Sequence, residues 1–535
     1  MAGTCCYLGI ELGSTRIKAV LLDGAGHSLV QGVWDWESCY TDGYWSYDLE
    51  LLRRGLAAVT GQVLEAYHER WASWPDLGGL GISAMMHGYI ALDAQGRLLC
   101  PFRSWRNRTA APAAQRLERE LGCRMPERWT AAHLYQAALD GEEHLHDVHQ
   151  VQTLAGYVQR LLGGEAVLGL GDAAGVFPLD AAGQDYDPDL LERYQACLRE
   201  ACGLELDVRA LFPRPRSAGL AAGRLSAAGA RILDPQGRIP AGILLCPPEG
   251  DAGTGMVAAQ AVEAGTGNIS VGTSAFAMLV TERRPQKLEG EVDLVATPEG
   301  KPVLMVHANN ACAELDQWVR VFRQQAAGLG LCVETSEIYS QLYLAALEAA
   351  LEGGGSEEAG NCLVYPFLAG EALVDCSAGA PLIWHRPDCD WNFKDLARAQ
   401  VYAVVASLVS GLQDLGPALA ENRLLVAHGG YFKSGDAGLR ILASALGKSL
   451  GSYSGASEGG ARGMALLAAY AAQRERGQSL SSWLSRLQTE DVQFLAPEEK
   501  LAADYHRYLR RYRDFLPLAR QAAQLWTAAE AEGQI

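Results

Sequence analysis

Gly265-Thr266-Gly267-Asn268-Ile269-Ser270-Val271-Gly272-Thr273-Ser274-Ala275-Phe276-Ala277-Met278-Leu279-Val280 is the stretch that decides how this chain reads. Apolar β-forming runs flank a Gly-Thr-Ser turn, a pattern that predicts strand, turn, strand. Near the N-terminus, Ile10-Glu11-Leu12-Gly13-Ser14-Thr15-Arg16-Ile17-Lys18-Ala19-Val20-Leu21 lies over Ile269–Val280 without a gap. A tight glycine-hydroxyl-hydroxyl turn gathers backbone N–H groups and two hydroxyls at one point, and such concave arrays hold phosphate oxygens. One such turn is an ordinary hairpin; two in matching settings can grip a polyphosphate from opposite sides.

Shortly before the second turn comes Pro247-Pro248-Glu249-Gly250-Asp251-Ala252-Gly253-Thr254-Gly255. Asp251 reads as a lone carboxylate among glycines, which let backbone and substrate approach closely. A base beside a phosphate cradle is the expectation.

Bulk properties narrow the function classes. The 535 residues suffice for two domains with cores of their own. A formal net charge of −18 speaks against nucleic acid or an anionic membrane as partner, since both demand clustered Lys and Arg. It does not forbid ATP, because backbone N–H groups and a divalent ion bind phosphates inside acidic proteins. The 13 cysteines are odd in number and scattered without C-x-x-C spacing, so they read as reduced. With no signal-like segment and no long apolar run, a cytoplasmic location is expected.

The twin turns resemble the phosphate loops of the actin, Hsp70 and sugar-kinase superfamily. The Gly-Asp-x-x-x-Gly setting of Asp251 is similar to that of the FGGY carbohydrate kinases. Met85-Met86-His87-Gly88 resembles the Gln-Met-His-Gly segment of xylulose kinases, which faces the sugar. Trp105-Arg106-Asn107-Arg108-Thr109 resembles their Trp-x-Asp-x-Arg stretch, and Gly171-Asp172-Ala173-Ala174-Gly175 a Ser-Asp-Ala-Ala-Gly segment with Gly171 in the serine's place. Tyr365 to Glu371 is similar to the Leu-x-Gly-Glu stretch, with Ala372 where Arg usually follows. His428-Gly429-Gly430 looks like the turn beneath the adenosine, and Glu458 to Ala465 like a helix start rich in small residues.

This resemblance runs from about Tyr7 to Ala472 and implies an α/β, two-domain actin-like ATPase (ribonuclease H-like) fold with an interdomain cleft. Residues 1–257 would carry the sugar site, the first phosphate loop and Asp251. Residues 258–535 would carry the second phosphate loop, the adenosine site and C-terminal helices. The implied activity is transfer of the γ-phosphoryl group of ATP to a hydroxyl of a ketopentose or related polyol. Asp251 would be the general base, with Met86, His87, Trp105, Asn107 and Asp251 binding the sugar. Gly13, Ser14, Thr15, Gly272, Thr273 and Ser274 would hold phosphates, Gly429 and Gly430 the adenosine, and Glu11 and Asp251 Mg²⁺. The partners are sugar and ATP, with room for a homodimer.

Departures gather at the sugar and metal positions. Met85 replaces Gln, Asn107 replaces Asp, His133 replaces Lys and Glu11 replaces Asp, so the sugar is open. Two other readings stand beside the kinase: an Hsp70- or actin-like ATPase without a sugar acceptor, and a kinase-like sugar sensor. His144, His146, Asp147 and His149 read as a solvated polar turn rather than a metal site. Gly447-Lys448-Ser449 fails as a P-loop because Leu442 stands where its first glycine is required.

Overall fold

The computed structural model describes residues 5–285, 290–352, 361–452, 459–487 and 492–531, with residues 529–531 described by backbone only. A loop expected at Gly353 to Glu358, and Glu458 of the small-residue helix start, lie outside the described residues.

The N-terminal meander forms from β-rich runs that are buried over most of their length in the first two strands. Cys6–Leu12, Arg16–Leu22 and Ser28–Asp35 pair antiparallel in sequence, and Leu77–Ala84 joins parallel on the free side of Cys6–Leu12. Leu244–Leu245 and then Glu249–Gly250 pair parallel with Leu77–Ala84. The second sheet repeats this plan. Thr266–Val271, Ala275–Val280 and Pro302–Ala308 pair antiparallel, and Leu424–His428 and Leu450–Ser452 continue parallel beyond Thr266–Val271. Val292–Ala296 and Gln493–Leu495 extend its two edges.

The repeat is close but not gapless. Leu12 faces Ile17 in the first hairpin, and Val271 faces Ala275 in the second. Gly13 N–H donates to the Arg16 carbonyl (2.9 Å), whereas Gly272 N–H donates to that of Ser274 (2.9 Å). The first turn is therefore one residue longer, and the return strands are offset by one against the sequence overlay.

Helix Leu49–Trp71 packs Leu52, Leu56 and Val59 with Ile10 and Leu12 on one face of the first sheet. A second cluster joins the halves, with Met86, Ala252 and Met256 packed among Met278, Val280, Val295 and Ala461. Each Leu, Ile, Val or Met side chain among them contributes about 1.5–3 kcal/mol when fully buried. The third lies under the second sheet around helix Phe393–Asp414, and Tyr505, Tyr508 and Tyr512 of helix Glu499–Ala531 seal it. Among the described residues no helix is long and apolar enough to cross a membrane.

Helix Gly459–Gln473 lies against strand Cys6–Leu12 and helix Asp251–Ala258. A Cβ at Gly9 would stand 2.1 Å from the Ala461 carbonyl oxygen, and one at Gly463 would stand 1.9 Å from that of Thr254. The small residues thus serve helix-to-strand and helix-to-helix contact. Replacing Gly by Ala inside a helix ordinarily gains about 0.5–1 kcal/mol. Gly463→Ala is expected to do the reverse, lowering stability by about 1–3 kcal/mol through overpacking. A thermal melt reads the sign, and a raised Tm would refute the close crossing.

Candidate active site

Strand Leu77–Ala84 and the short strand Glu249–Gly250 run side by side, which brings the residues just beyond their C-terminal ends together. Asp251 opens helix Asp251–Ala258, so the second half of the glycine-rich run is helical. Its Oδ1 accepts the N–H of Met86 (3.2 Å) and of Ala252 (3.0 Å). Ser83 Oγ and Thr254 Oγ1, 2.9 Å apart, clamp the same junction. Burial, then the charge of Glu11, pushes the Asp251 carboxyl up to about 7 against three backbone N–H groups that favour its ionised form. Near-neutral protonation equilibria suit a proton acceptor.

Nor is Asp251 a lone carboxylate. Burial raises Asp172 to about 7 and Glu249 to about 8. Glu11, at the end of its strand, is raised by burial too, with the Lys18 charge and the Ala461 N–H opposing. Its Oε2 accepts no hydrogen bond among the described residues and stands 3.9 Å from Lys18 Nζ.

His87 turns the chain at φ 70°, with its ring buried and Nδ1 3.4 Å from the Gly175 carbonyl. A carbonyl only accepts, so Nδ1 carries the proton and Nε2 is the acceptor. Burial, reinforced by the Arg128 charge, pushes His87 down to about 3, which keeps it neutral. Arg128 and Arg124 reach across to strand Val292–Ala296, where Arg124 Nε donates to Asp293 Oδ1 (2.8 Å) and Arg128 pairs with the other oxygen. His307, on the neighbouring strand, is driven down to about 4 by burial and the Arg128 charge. No motif announces this ionic seam, because its members come from a loop and two strands far apart in sequence.

The Met86 N–H thus meets Asp251 and the His87 ring meets Gly175, while Trp105 and Asn107 belong to an adjoining turn. Arg103 and Tyr89 exchange backbone hydrogen bonds of 2.8 and 3.1 Å, which lays that turn beside the Met86-His87 loop. The Asn107 amide is spent on backbone. Its Oδ1 accepts the Trp45 N–H (2.8 Å), and its Nδ2 donates to the carbonyls of Trp45 (2.8 Å) and Ser104 (2.9 Å). Both amide hydrogens are engaged, so Asn107, expected to bind the sugar, is held here as a brace between two loops and has no hydrogen left to donate. A carboxylate could not make the two donations. Met85 fills an apolar position with Ile10, Leu12 and Phe102, a cluster against which Trp105 is also partly packed.

His133 is wholly buried near Tyr89, and burial followed by the Arg103 charge takes it down to about 3. His144 is not in a solvated turn as expected; it is mostly buried and meets the Tyr89 hydroxyl at 2.7 Å.

In the two glycine-hydroxyl-hydroxyl turns, Ser14, Thr15 and Thr273 are exposed at the tips. Trp36 Nε1 donates to the Gly13 carbonyl (2.7 Å) and the Tyr47 hydroxyl to that of Ser14 (2.9 Å), fixing the first turn from below. The second is fixed by helix Cys312–Gly328, whose leading N–H groups, from Ala311 and Cys312, donate to the carbonyls of Thr273 (3.1 Å) and Gly272 (2.9 Å). Gly429, at φ 113°, follows strand Leu424–His428, and a Cβ on it would stand 2.3 Å from the Val271 carbonyl oxygen. Gly429 and Gly430 therefore adjoin the second turn. Lys18, which the sequence leaves without a role, sits where its charge acts on Glu11 in one sheet and His428 in the other.

Glu371 supports the second turn from behind. Its Oε2 accepts the Asn310 N–H (3.1 Å) and Nδ2 (3.3 Å), one residue before Ala311, while Oε1 is buried with no partner among the described residues. Burial raises Glu371 from the ordinary 4.5 to about 7, with the Asn310 donors opposing. The folded chain therefore holds this proton more tightly than the unfolded chain. The contribution to stability is complete below about 4.5 and is lost as pH rises through about 7. Glu371→Gln cannot ionise, so its Tm should gain on wild type between pH 5 and pH 8. A constant difference would show that Glu371 does not titrate there.

Residues 6–231 match the N-terminal domain of the FGGY family of carbohydrate kinases, and residues 267–472 match its C-terminal domain. The chain is 25% identical over 523 residues to the xylulose kinase of Escherichia coli K12, covering 96% of this chain and 99% of that protein. The fold matches the gluconate kinase of Lactobacillus acidophilus with a TM-score of 0.78 at 16% identity, over 98% of this chain and 100% of that one. A ligand-bound xylulose kinase of the same organism matches with a TM-score of 0.77 at 16% identity, over 97% and 99%. The family matches set aside the acceptor-free ATPase and the sensor. The chain belongs to the FGGY family of carbohydrate kinases, sugar phosphotransferases that use ATP, and within it resembles xylulose kinases.

Proposed function

We propose that this kinase transfers the γ-phosphoryl group of ATP to a hydroxyl of a ketopentose or related polyol, with Asp251 as general base. The observation that carries the reading is the meeting of a buried, near-neutral carboxyl with the Met86-His87 loop at a helix N-terminus. Asp251 would orient the acceptor hydroxyl and take its proton as the phosphoryl group arrives. His87 Nε2, a neutral acceptor, would receive a sugar O–H, and Trp105 would wall the ring or chain. The turns Gly13 to Thr15 and Gly272 to Ser274 would present backbone N–H groups to the phosphates, with Gly429 and Gly430 beneath the adenosine. Phosphoryl transfer asks mainly for such positioning and charge neutralisation.

The donor set suits Mg²⁺, a hard cation bound by one or two carboxylates. Glu11 Oε2 has no hydrogen-bond donor among the described residues, and Glu11 lies close enough to Asp251 for the two charges to interact. Glu11 and Asp251 would hold the ion, which when bound would offset phosphate charge. We also read the chain as two domains meeting near residues 257 and 258, with helix Gly459–Gln473 returning to the first sheet.

Support for a ketopentose comes from the E. coli relative and the Met86-His87-Gly88 segment. An ATP-coupled screen of pentuloses, hexuloses, aldoses, aldonates and polyols tests it. A highest kcat/KM on a pentulose or its polyol is expected, and a highest value on an aldose, hexulose or aldonate would overturn the acceptor class.

A further inference from the structure

We propose that Glu249 is a positioning residue that locks Asp251 to His87, an inference that rests on Asp251 being the base. The Glu249 carboxyl is 1% exposed. Its Oε1 accepts the Gly171 N–H (3.1 Å), and its Oε2 accepts the N–H groups of Asp172 (2.9 Å) and Gly250 (3.3 Å). One side chain thereby ties the strand that leads into Asp251 to a segment 77 or 78 residues away. That segment continues to Gly175, whose carbonyl meets the His87 ring. It is anchored at its other end by Gly169 N–H donating to the Pro248 carbonyl (2.7 Å), and in the middle by Thr153 Oγ1 donating to Asp172 Oδ2 (2.6 Å).

The space for the carboxyl is made by missing side chains. A Cβ at Gly169 would lie 2.2 Å from Oε1, and one at Gly171 would lie 2.6 Å from Oε2. Gly171 stands where the resembling segment has serine, so this departure has a physical reason: a serine there would collide with Glu249. The two positions are therefore coupled: with the Glu249 carboxyl held by three backbone N–H groups, a side chain at 171 must displace it. Because both carboxyl oxygens accept, an isosteric amide must turn its NH₂ end against a backbone N–H, and leaving buried donors unpaired is costly. A displacement of about 1 Å at a reacting group can cost about 10²-fold in rate.

The test measures kcat, KM and ATP Kd with ATP and whichever of d-xylulose or d-ribulose wild type turns over faster. The variants are Glu249→Gln, Gly171→Ser and the double Gly171→Ser/Glu249→Gly. Each single change is expected to lower kcat by about 10²-fold with ATP Kd unchanged, and the double variant should recover at least about tenfold by removing the clash and supplying a hydroxyl acceptor. A Glu249→Gln kcat within about threefold of wild type, or a double variant no faster than Gly171→Ser, overturns the proposal. A parallel fall in Tm without the kcat loss would mark Glu249 as structural only, and also overturns it. Should Glu249→Gln fail to fold, the comparison of the double variant with Gly171→Ser still decides. Asp251→Asn is assayed alongside: if it turns over normally, the base assignment fails. If it is inactive while Glu249→Gln is normal, only the role of Glu249 fails.

Discussion

Asp251→Asn should remove sugar phosphorylation almost completely, lowering kcat by about 10²- to 10⁴-fold, the contribution typical of a general base. That loss corresponds to about 3–5.5 kcal/mol of transition-state stabilisation. The change is conservative in shape. An asparagine Oδ1 can still accept the Met86 and Ala252 N–H groups that the carboxylate now accepts, so the junction should hold. ATP affinity should stay within a few-fold, since the phosphate turns lie on other elements. Calorimetric ATP binding alongside turnover separates the two effects; near-normal turnover in a folded Asp251→Asn would remove the base assignment.

Gly272→Val is expected to weaken ATP binding by about 10- to 100-fold while leaving Tm unchanged. The combination is informative because the turn itself has room. Gly272 does not sit at a positive φ, and a Cβ there would find only the Ser274 carbonyl oxygen, at 3.9 Å. A loss of affinity would therefore come from the side chain standing between the turn's N–H groups and a phosphate. One charge-assisted hydrogen bond is worth about 1.5–3 kcal/mol, which sets the expected factor. Unchanged Kd for ATP would mean that the second turn is a hairpin and nothing more.

Much of this architecture is legible in the residues because strands and turns write themselves locally. The apolar β-forming runs on either side of the Gly-hydroxyl-hydroxyl turns sufficed to expect both hairpins. The one-residue offset between them was hidden, since it depends on how many residues Gly13 and Gly272 each span in closing their turns. Glycines before and after Asp251 carried no helix signal, yet burial of Ala252, Met256 and Val257 against the second half makes a helix the better solution.

Site residues followed the same division. Met86, His87 and Asp251 were singled out by their neighbours in sequence, and the structure brings the Met86 N–H onto Asp251, with His87 the next residue along the chain. Asn107 was assigned by its place in a motif, but its partners include the backbone of Trp45, 62 residues away, which no local pattern encodes. Lys18 passed as one charge in an apolar strand. Glu249 was overlooked beside the more conspicuous Asp251, and its signal was present only as a pair: an acidic residue before Gly250 and a glycine for serine at 171. The Arg124, Arg128 and Asp293 seam had no such signal, being assembled wholly by tertiary contact.

The central claim is that this chain moves a phosphoryl group from ATP to a sugar hydroxyl, and the most direct measurement is product identity. Purified protein, ATP, Mg²⁺ and d-xylulose or another pentulose are incubated, and ADP and phosphorylated sugar are quantified together by ³¹P NMR or mass spectrometry. The account predicts ADP formation that depends on the sugar, with one phosphorylated sugar appearing per ADP. ADP released at the same rate with and without any sugar of the panel, and no phosphorylated sugar, would contradict it.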